Sequence, residues 1–200
     1  VKHIGFSFHG SLKDFKRVAD EYEGCEFCQI QLNYIDVNNQ AGLEGLYYAE
    51  QKGLGVIIME PLLGGKLANL HESVRAALNT DKTDVEAAFD FLGDKKEVSM
   101  LLSGMNSMQQ LEDNLTYAER SSIGMLLGKE KNGYIAAKEA YDNRSSLACT
   151  GCRYCMPCPA GIDIPGLFKT VNEGLDKTYF AALDDYKKIP VRADSCKKCG

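Results

Sequence analysis

The sequence has 200 residues, of which 44% are hydrophobic, and its formal net charge is −5. This length can bury a substantial core and suits one ordinary domain with a smaller module. Acidic and basic residues are mixed along the chain and form no positive stripe, so nucleic acid is not an expected partner. No run approaches the roughly 20 apolar residues of a membrane span, and the first residues do not resemble a signal peptide. A cytoplasmic protein without membrane partners is therefore predicted.

Residues 3–120 repeat one pattern, in which a short apolar run and a turn precede an amphipathic stretch. Strands are predicted at residues 3–8, 27–34, 55–60 and 98–102, and helices at 12–22, 43–52, from 83 onward and at 108–119. Ser11 and Thr83 are the expected N-caps, Thr83 in a capping box with Glu86, and Gly53 is the expected left-handed C-cap. Strands that alternate with helices imply a parallel sheet covered by helices, which is the α/β class.

A further helix within residues 124–142 is predicted to lead the chain away from the sheet. Shorter helices are expected near residues 165–172 and 179–187. The predicted organisation is therefore an α/β domain at residues 1–122, a connecting helix at 123–145 and a cysteine-rich module at 146–200.

All but two of the eight cysteines lie in this last module. They are Cys149, Cys152, Cys155 and Cys158, followed by Pro159, and then Cys196 and Cys199. Thiolates separated by two residues can direct several sulfurs at one iron-sulfur cluster, and bacterial ferredoxins use such a run with a following proline. One or two 4Fe-4S clusters and a role in electron transfer are therefore predicted.

Two features of the cysteine pattern leave alternatives open. Two residues separate Cys155 from Cys158, where the ferredoxin run has three, and paired C-x-x-C elements also form zinc sites. The earlier pair, Cys25 and Cys28, has the same spacing. Cys28 falls on the strand face shared with Ile30, where a cysteine packs as a small hydrophobic residue, so this pair is not assigned to a site.

Four segments at the ends of the predicted strands carry a family resemblance. Residues 3–10, 29–34, 59–66 and 103–114 resemble, in this order, the last four strand ends of an aldo/keto reductase. Together with the cysteine module, the chain is similar to the ferredoxin-containing branch of that family. The resemblance implies the second half of a TIM barrel followed by an α-helical ferredoxin-like module. A missing barrel half or self-association is then expected, because an open half sheet leaves an edge and an apolar face uncovered.

The resemblance also implies a nicotinamide cofactor and the residues that bind it. Ser7 and Gln29, with Gln31, correspond to the carboxamide site; Gly64, Gly65 and Lys66 to the pyrophosphate loop; and Gly104, Met105, Asn106, Gln110, Asp113 and Asn114 to the adenosine segment. Strand alternation independently places Ser7, Gln29 and Gln31 on one face, either as a site or as a hydrogen-bonded interior layer. Because the adenosine segment lacks an Arg or Lys to pair with a 2′-phosphate, NADH is expected at least as readily as NADPH.

The resemblance places the family's catalytic residues in the first half of the barrel, so none is assigned here. The predicted function is that of an oxidoreductase that couples a nicotinamide-type site to 4Fe-4S electron transfer, acts on a small carbonyl-type substrate and could exchange electrons with a redox partner protein. The alternative is a non-catalytic electron relay, or a structural zinc-binding module, on an α/β scaffold.

Overall fold

The computed structural model describes residues 1–144, 147, 149–174 and 179–199. The chain divides into two units, Val1–Lys138 and Glu139–Gly200. The domain limits expected from the sequence remain predictions, and the expected junction between residues 145 and 146 lies outside the described residues.

Strands and helices alternate in the first unit, and four strands form one parallel sheet in the order β1-β2-β3-β4. The strands are β1 (Gly5–Ser7), β2 (Phe27–Gln31), β3 (Gly55–Met59) and β4 (Met100–Leu101). The helices are α1 (Leu12–Glu21), α2 (Gly42–Gln51), α3 (Glu72–Leu78), α4 (Asp84–Gly93), α5 (Met108–Arg120) and α6 (Gly128–Arg144), with a 3-10 turn at Lys66–Ala68. The predicted α/β class and parallel sheet are confirmed.

Local side-chain chemistry explains where these elements begin and end. The Ser11 hydroxyl accepts the Asp14 amide, and Thr83 and Glu86 form the expected capping box. Gly53 has the expected positive φ of 74°. Strand β2 is shorter than predicted because the Asn33 side chain accepts two amides of the following turn, which ends the extended backbone.

The core of the first unit includes one face of β2 and β3 and buried residues of helices α2 and α4. Cys28 and Ile30 on β2 face the same side as their register partners Val56 and Ile58 on β3, and all four are fully buried. Burial raises the pKa of Cys28 to about 12, so this thiol stays protonated at neutral pH. The interpretation of Cys28 as a packing residue is confirmed.

A buried carboxylate joins helices α4 and α5. The Asp90 side chain is 1% exposed, and its oxygens lie 2.7 Å from the Arg120 guanidinium and 2.9 Å from the Lys82 ammonium. Glu86 also pairs with Arg120, and Glu130 also pairs with Lys82. Residues far apart in the sequence are thereby held together by charge.

Helix α6 approaches the C-terminal end of α3 closely. The Tyr134 ring packs against Phe91 and Tyr34, and its hydroxyl donates to the carbonyl of Ala87. A Cβ atom on Gly133 would collide with the carbonyl oxygen of Leu78. Glycine at this position therefore allows the two backbones to approach each other.

Alanine at Gly133 is expected to destabilise the first unit by about 1 to 3 kcal/mol, although alanine favours helix, because a backbone carbonyl must move to make room. The measurement is chemical denaturation followed by circular dichroism. Gly128→Ala, in the same helix with open space around its Cβ position, is the matched control and should be neutral or stabilising. Equal stability of the two variants would contradict the close approach.

The second unit contains the predicted pair of helices, α7 (Ile164–Gly174) and α8 (Tyr179–Lys187), and a 3-10 turn at Ala193–Ser195. The helices pack against each other. The Asn172 side chain donates to the Leu147 carbonyl at 2.7 Å and accepts the Leu147 amide at 3.1 Å, which ties α7 to the segment before the cysteines.

Strands β1 and β4 are the edges of the sheet in the described part of the chain. Apolar side chains beside these edges are exposed, including Ile4, Met100 and Leu115. Such exposure is expected of a half sheet with open edges. A missing barrel half or a second copy of the chain as the covering partner stays a prediction. Among the described helices, none has the length and apolarity needed to cross a bilayer.

Candidate functional site

The carboxyl ends of the four parallel strands lie along one edge of the sheet, where α/β proteins bind ligands. Ser7 pairs with Gln29 in the register of β1 and β2, so their side chains are neighbours, as the alternation of the strands predicted. The Ser7 hydroxyl lies 3.2 Å from the His9 ring, and the Gln29 amide donates to the Met59 sulfur at 3.5 Å. Side chains of β1, β2 and β3 thus lie next to one another near this edge.

Gln31 has a different environment from Ser7 and Gln29. It is buried, its amide nitrogen donates to Asp36 at 2.9 Å, and its oxygen accepts from Gln40 at 3.0 Å. Asn33 is bound in the same way to the carbonyl of Glu60 and to the turn after β2. Gln31 therefore fits the second interpretation of the polar face, an interior layer whose hydrogen bonds the protein itself supplies.

The loop after β3 carries the glycines predicted for the pyrophosphate. Gly64 and Gly65 have φ values of 61° and 86°, which are left-handed conformations that glycine adopts without strain. Fully buried Leu67 anchors the following turn in the core. The Gly64 amide donates to the side chain of Glu60. Glu60 was not among the predicted site residues, although an acidic residue directly after a strand and before a proline is a visible signal.

The loop after β4 is ordered by the residues predicted for adenosine. Gln110 accepts the Asn106 amide at 2.8 Å, and the Asn114 side chain donates to the Ser103 hydroxyl at 3.0 Å. Asp113 accepts from the side chain of Gln109 within α5. The start of this segment is exposed at Gly104, Met105 and Asn106. The segment therefore combines self-ordered polar side chains with an exposed loop.

The two loops line an open cavity of about 620 Å³, within the size range of small-molecule sites. Met59, Gly64 and Gly65 line it from the β3 side, and Ser103 and Gly104 from the β4 side. No atom lies within 4 Å of a Cβ built on Gly65 or Gly104, so both glycines face open space. Two segments that are 40 residues apart in the sequence are thus brought to one site.

A second cavity of about 400 Å³ lies between β4, α4 and α5. Its lining is mainly apolar, and it includes Met105 and Asn114 of the predicted adenosine segment. Ser103 lines both cavities. At this cavity burial lowers the pKa of Lys95, whose ammonium lies 3.9 Å from the centre of the Phe91 ring.

All eight cysteines are thiols rather than disulfides. Cys152, Cys155, Cys196 and Cys199 are exposed, and Cys149 and Cys158 are partly exposed. Within the described residues, no three or more His, Cys, Asp or Glu side chains converge in a metal-binding group. The six predicted ligands are therefore accessible but are not gathered around one point.

The backbone around these cysteines has features suited to soft-metal ligands. Gly151, Arg153 and Lys198 adopt positive φ values of 75°, 63° and 51°, which turn the chain sharply beside the thiols. The Cys196 sulfur accepts the Lys198 amide at 3.4 Å. An amide that donates to sulfur stabilises a thiolate, and such bonds also tune iron-sulfur clusters. The chemistry of the donor set fits a cluster, although these residues are not assembled into one.

Comparison with known proteins adds information on the fold. No protein-family model matches the sequence, and no curated protein matches it. Solved structures that are similar include the holo and apo forms of the aldo-keto reductase AKR11C1 from Bacillus halodurans, each with a TM-score of 0.57 and 18% sequence identity. The matched region shares the fold of the corresponding part of these structures.

The match covers 70% of this chain and 51% of the holo form, or 52% of the apo form, so it spans about half the length of these enzymes. The strand-end motifs predicted part of a TIM barrel, and the similarity to these structures is consistent with that architecture. Identity of 18% supports the architecture alone. Membership of the ferredoxin-containing branch, and assignment to the second half of the barrel, stay predictions.

Proposed function

We propose that the chain is part of an aldo/keto reductase-like oxidoreductase whose β3 and β4 loops bind a nicotinamide dinucleotide. The observation that carries the proposal is the cavity shared by Gly64, Gly65 and Gly104 at the carboxyl ends of parallel strands. Ligands of α/β folds bind at this end, and glycines allow a phosphate group to approach the backbone. The likeness of the fold to AKR11C1 supports the same assignment.

The loop after β3 is suited to bind the pyrophosphate. Its Gly64 amide already donates a hydrogen bond to an anionic partner, the Glu60 carboxylate. Leu63, Gly64 and Gly65 have successive positive φ values, so the loop turns sharply and presents the Gly64 amide to an anionic acceptor. Lys66 adds a positive charge next to these amides.

The two ends of the cofactor are assigned to the neighbouring surfaces. The apolar cavity that shares Ser103 with the first cavity has room for a base, with Met105 and Asn114 on its wall. At the other end, Ser7 and Gln29 offer a hydroxyl and an amide to the carboxamide, beside the polarisable sulfur of Met59. Residues 103–114 contain no Arg or Lys, so NADH is expected to bind at least as readily as NADPH.

Gly104→Leu is expected to weaken NADH binding at least about tenfold, because a leucine side chain would fill the cavity while the fold tolerates it. Neither Gly104 nor Gly128 has a positive φ, and both have open space at the Cβ position. Gly128→Leu, outside the cavity, is therefore the matched control. The measurement is titration of NADH fluorescence in the wild type and both variants.

Retained binding in Gly104→Leu, or no binding by the wild-type chain at any NADH concentration tested, would contradict the cofactor site. A small carbonyl compound is the proposed substrate class because the family acts on such compounds. The residues that protonate the substrate are not among those assigned here.

The cysteine module is proposed to hold one or two 4Fe-4S clusters. Cys149, Cys152, Cys155, Cys158, Cys196 and Cys199 are the proposed ligands. A bound cluster would supply one-electron transfer to or from a redox partner protein, and thiolate ligands suit it. Iron with acid-labile sulfide in anaerobically purified protein would support the cluster, whereas zinc alone would favour the structural alternative.

A further inference from the structure

The Glu60 carboxylate lies on the loop proposed for the pyrophosphate. It accepts the Gly64 amide, and Glu60 lines the same cavity as Gly64 and Gly65. A carboxylate oxygen and a phosphate oxygen compete for the same kind of donor, because both are anionic acceptors. The protein's own side chain therefore occupies a position that an anionic ligand needs.

We propose that Glu60 is a specificity-determining residue that competes with incoming anions for the Gly64 amide. A tethered carboxylate is always close to its donor, so it competes at a high effective concentration. Repulsion between like charges then penalises any anion that enters while Glu60 is in place. Weak singly charged anions are excluded, and a diphosphate group binds only by displacing the side chain. The identity of the displacing group rests on the proposed dinucleotide function.

Hydrogen bonds fix the backbone around Glu60, whereas the Glu60 side chain can rotate away from Gly64. The Glu60 carbonyl accepts the Leu63 amide at 3.0 Å and the Asn33 side chain at 3.1 Å. The Leu67 amide donates to the Leu62 carbonyl at 3.0 Å, which closes the loop from its far end. Glu60 itself is exposed, so its carboxylate can turn into water. Displacement thus requires a side-chain rotation, and the loop keeps its shape.

A purely structural role for Glu60 makes the opposite prediction. If the carboxylate served only to hold the loop, its neutralisation would loosen Gly64 and Gly65 and weaken the binding of every ligand there. If the carboxylate competes with the ligand, its neutralisation strengthens binding. The sign of the effect therefore separates the two roles.

Glu60→Gln is the variant that tests competition, because glutamine keeps the length of the side chain and removes its charge. The probe is inorganic pyrophosphate, measured by calorimetry on the full chain at neutral pH. We expect Glu60→Gln to bind pyrophosphate about tenfold more tightly than the wild type, since a hydrogen bond to a charged group no longer has to be broken. Glu23→Gln, at an exposed position outside the loop, makes the same change in net charge and should leave the affinity unchanged.

A second measurement does not depend on a variant. In the wild-type protein, pyrophosphate should shift the NMR signal of the Gly64 amide as its acceptor changes from carboxylate to phosphate. Equal or weaker pyrophosphate binding by Glu60→Gln, an equal gain in Glu23→Gln, or an unmoved Gly64 amide would overturn the competition.

NADH is titrated in parallel so that two failures can be told apart. A tenfold gain for pyrophosphate without any NADH binding would uphold the role of Glu60 and reject the dinucleotide function. Equal NADH affinity in Glu60→Gln and the wild type, with no gain for pyrophosphate, would uphold the dinucleotide function and reject the role of Glu60.

Discussion

Serine in place of Cys152 is expected to weaken iron binding by more than about 100-fold if this cysteine holds the proposed 4Fe-4S cluster, and the anaerobically purified variant should then lack the visible absorption of a cluster. Loss of a residue that only hydrogen-bonds to a metal ligand typically lowers metal affinity by about 10- to 100-fold. Loss of a thiolate ligand itself should therefore lower the affinity further. Cys152 is exposed and follows Gly151, whose left-handed conformation turns the chain beside it. Iron and acid-labile sulfide are measured per chain, together with the visible absorption spectrum.

Cys25→Ser is the matched control for this experiment. Cys25 belongs to a C-x-x-C pair whose other member, Cys28, is buried with a raised pKa and is therefore a poor ligand. Its replacement should leave the iron content unchanged. Equal iron in the wild type and Cys152→Ser, or a loss of iron in Cys25→Ser alone, would contradict the proposed ligand set.

Alanine in place of Asp90 is expected to lower the free energy of unfolding by about 3 kcal/mol. The side chain is 1% exposed and lies between Arg120 and Lys82, so its removal leaves two partly buried cations with fewer anionic partners. Loss of one member of a buried charge cluster costs more than the pair itself contributes, because the remaining charges stay desolvated. Urea denaturation followed by circular dichroism gives the difference.

The control is a surface ion pair in the same unit. Glu50 lies 2.9 Å from Lys96, and both side chains are largely exposed. Glu50→Ala should therefore cost less than about 1 kcal/mol, because water screens this pair. Similar losses in Asp90→Ala and Glu50→Ala would show that the buried cluster is not a major source of stability.

Much of the fold could be predicted from local chemistry. The capping box of Thr83 and Glu86 marked the start of α4, and alternating apolar residues marked the buried face of β2. The short helix Glu72–Leu78 was missed within a connection that the sequence left without structure. Its N-cap is His71, a residue that is not a usual capping signal, and seven residues give little periodicity.

The candidate site was predicted in part. Strand alternation placed Ser7 and Gln29 together correctly because the side-chain period of a strand is geometric. The same rule could not tell that the Gln31 amide is paired with Asp36 and Gln40, because those partners come from a loop. The contact of Glu60 with Gly64 also depends on loop conformation, which periodicity does not encode.

The sequence by itself determined the α/β alternation, the caps and the spacing of the cysteines, since each depends on residues a few positions apart. Only the tertiary structure decided that Gly65 and Gly104 face one cavity and that Asp90 is enclosed by Arg120 and Lys82. These arrangements depend on how crossover connections return the chain to neighbouring strands and helices. Contacts between distant segments follow from packing, in which burial and charge pairing act across the whole unit.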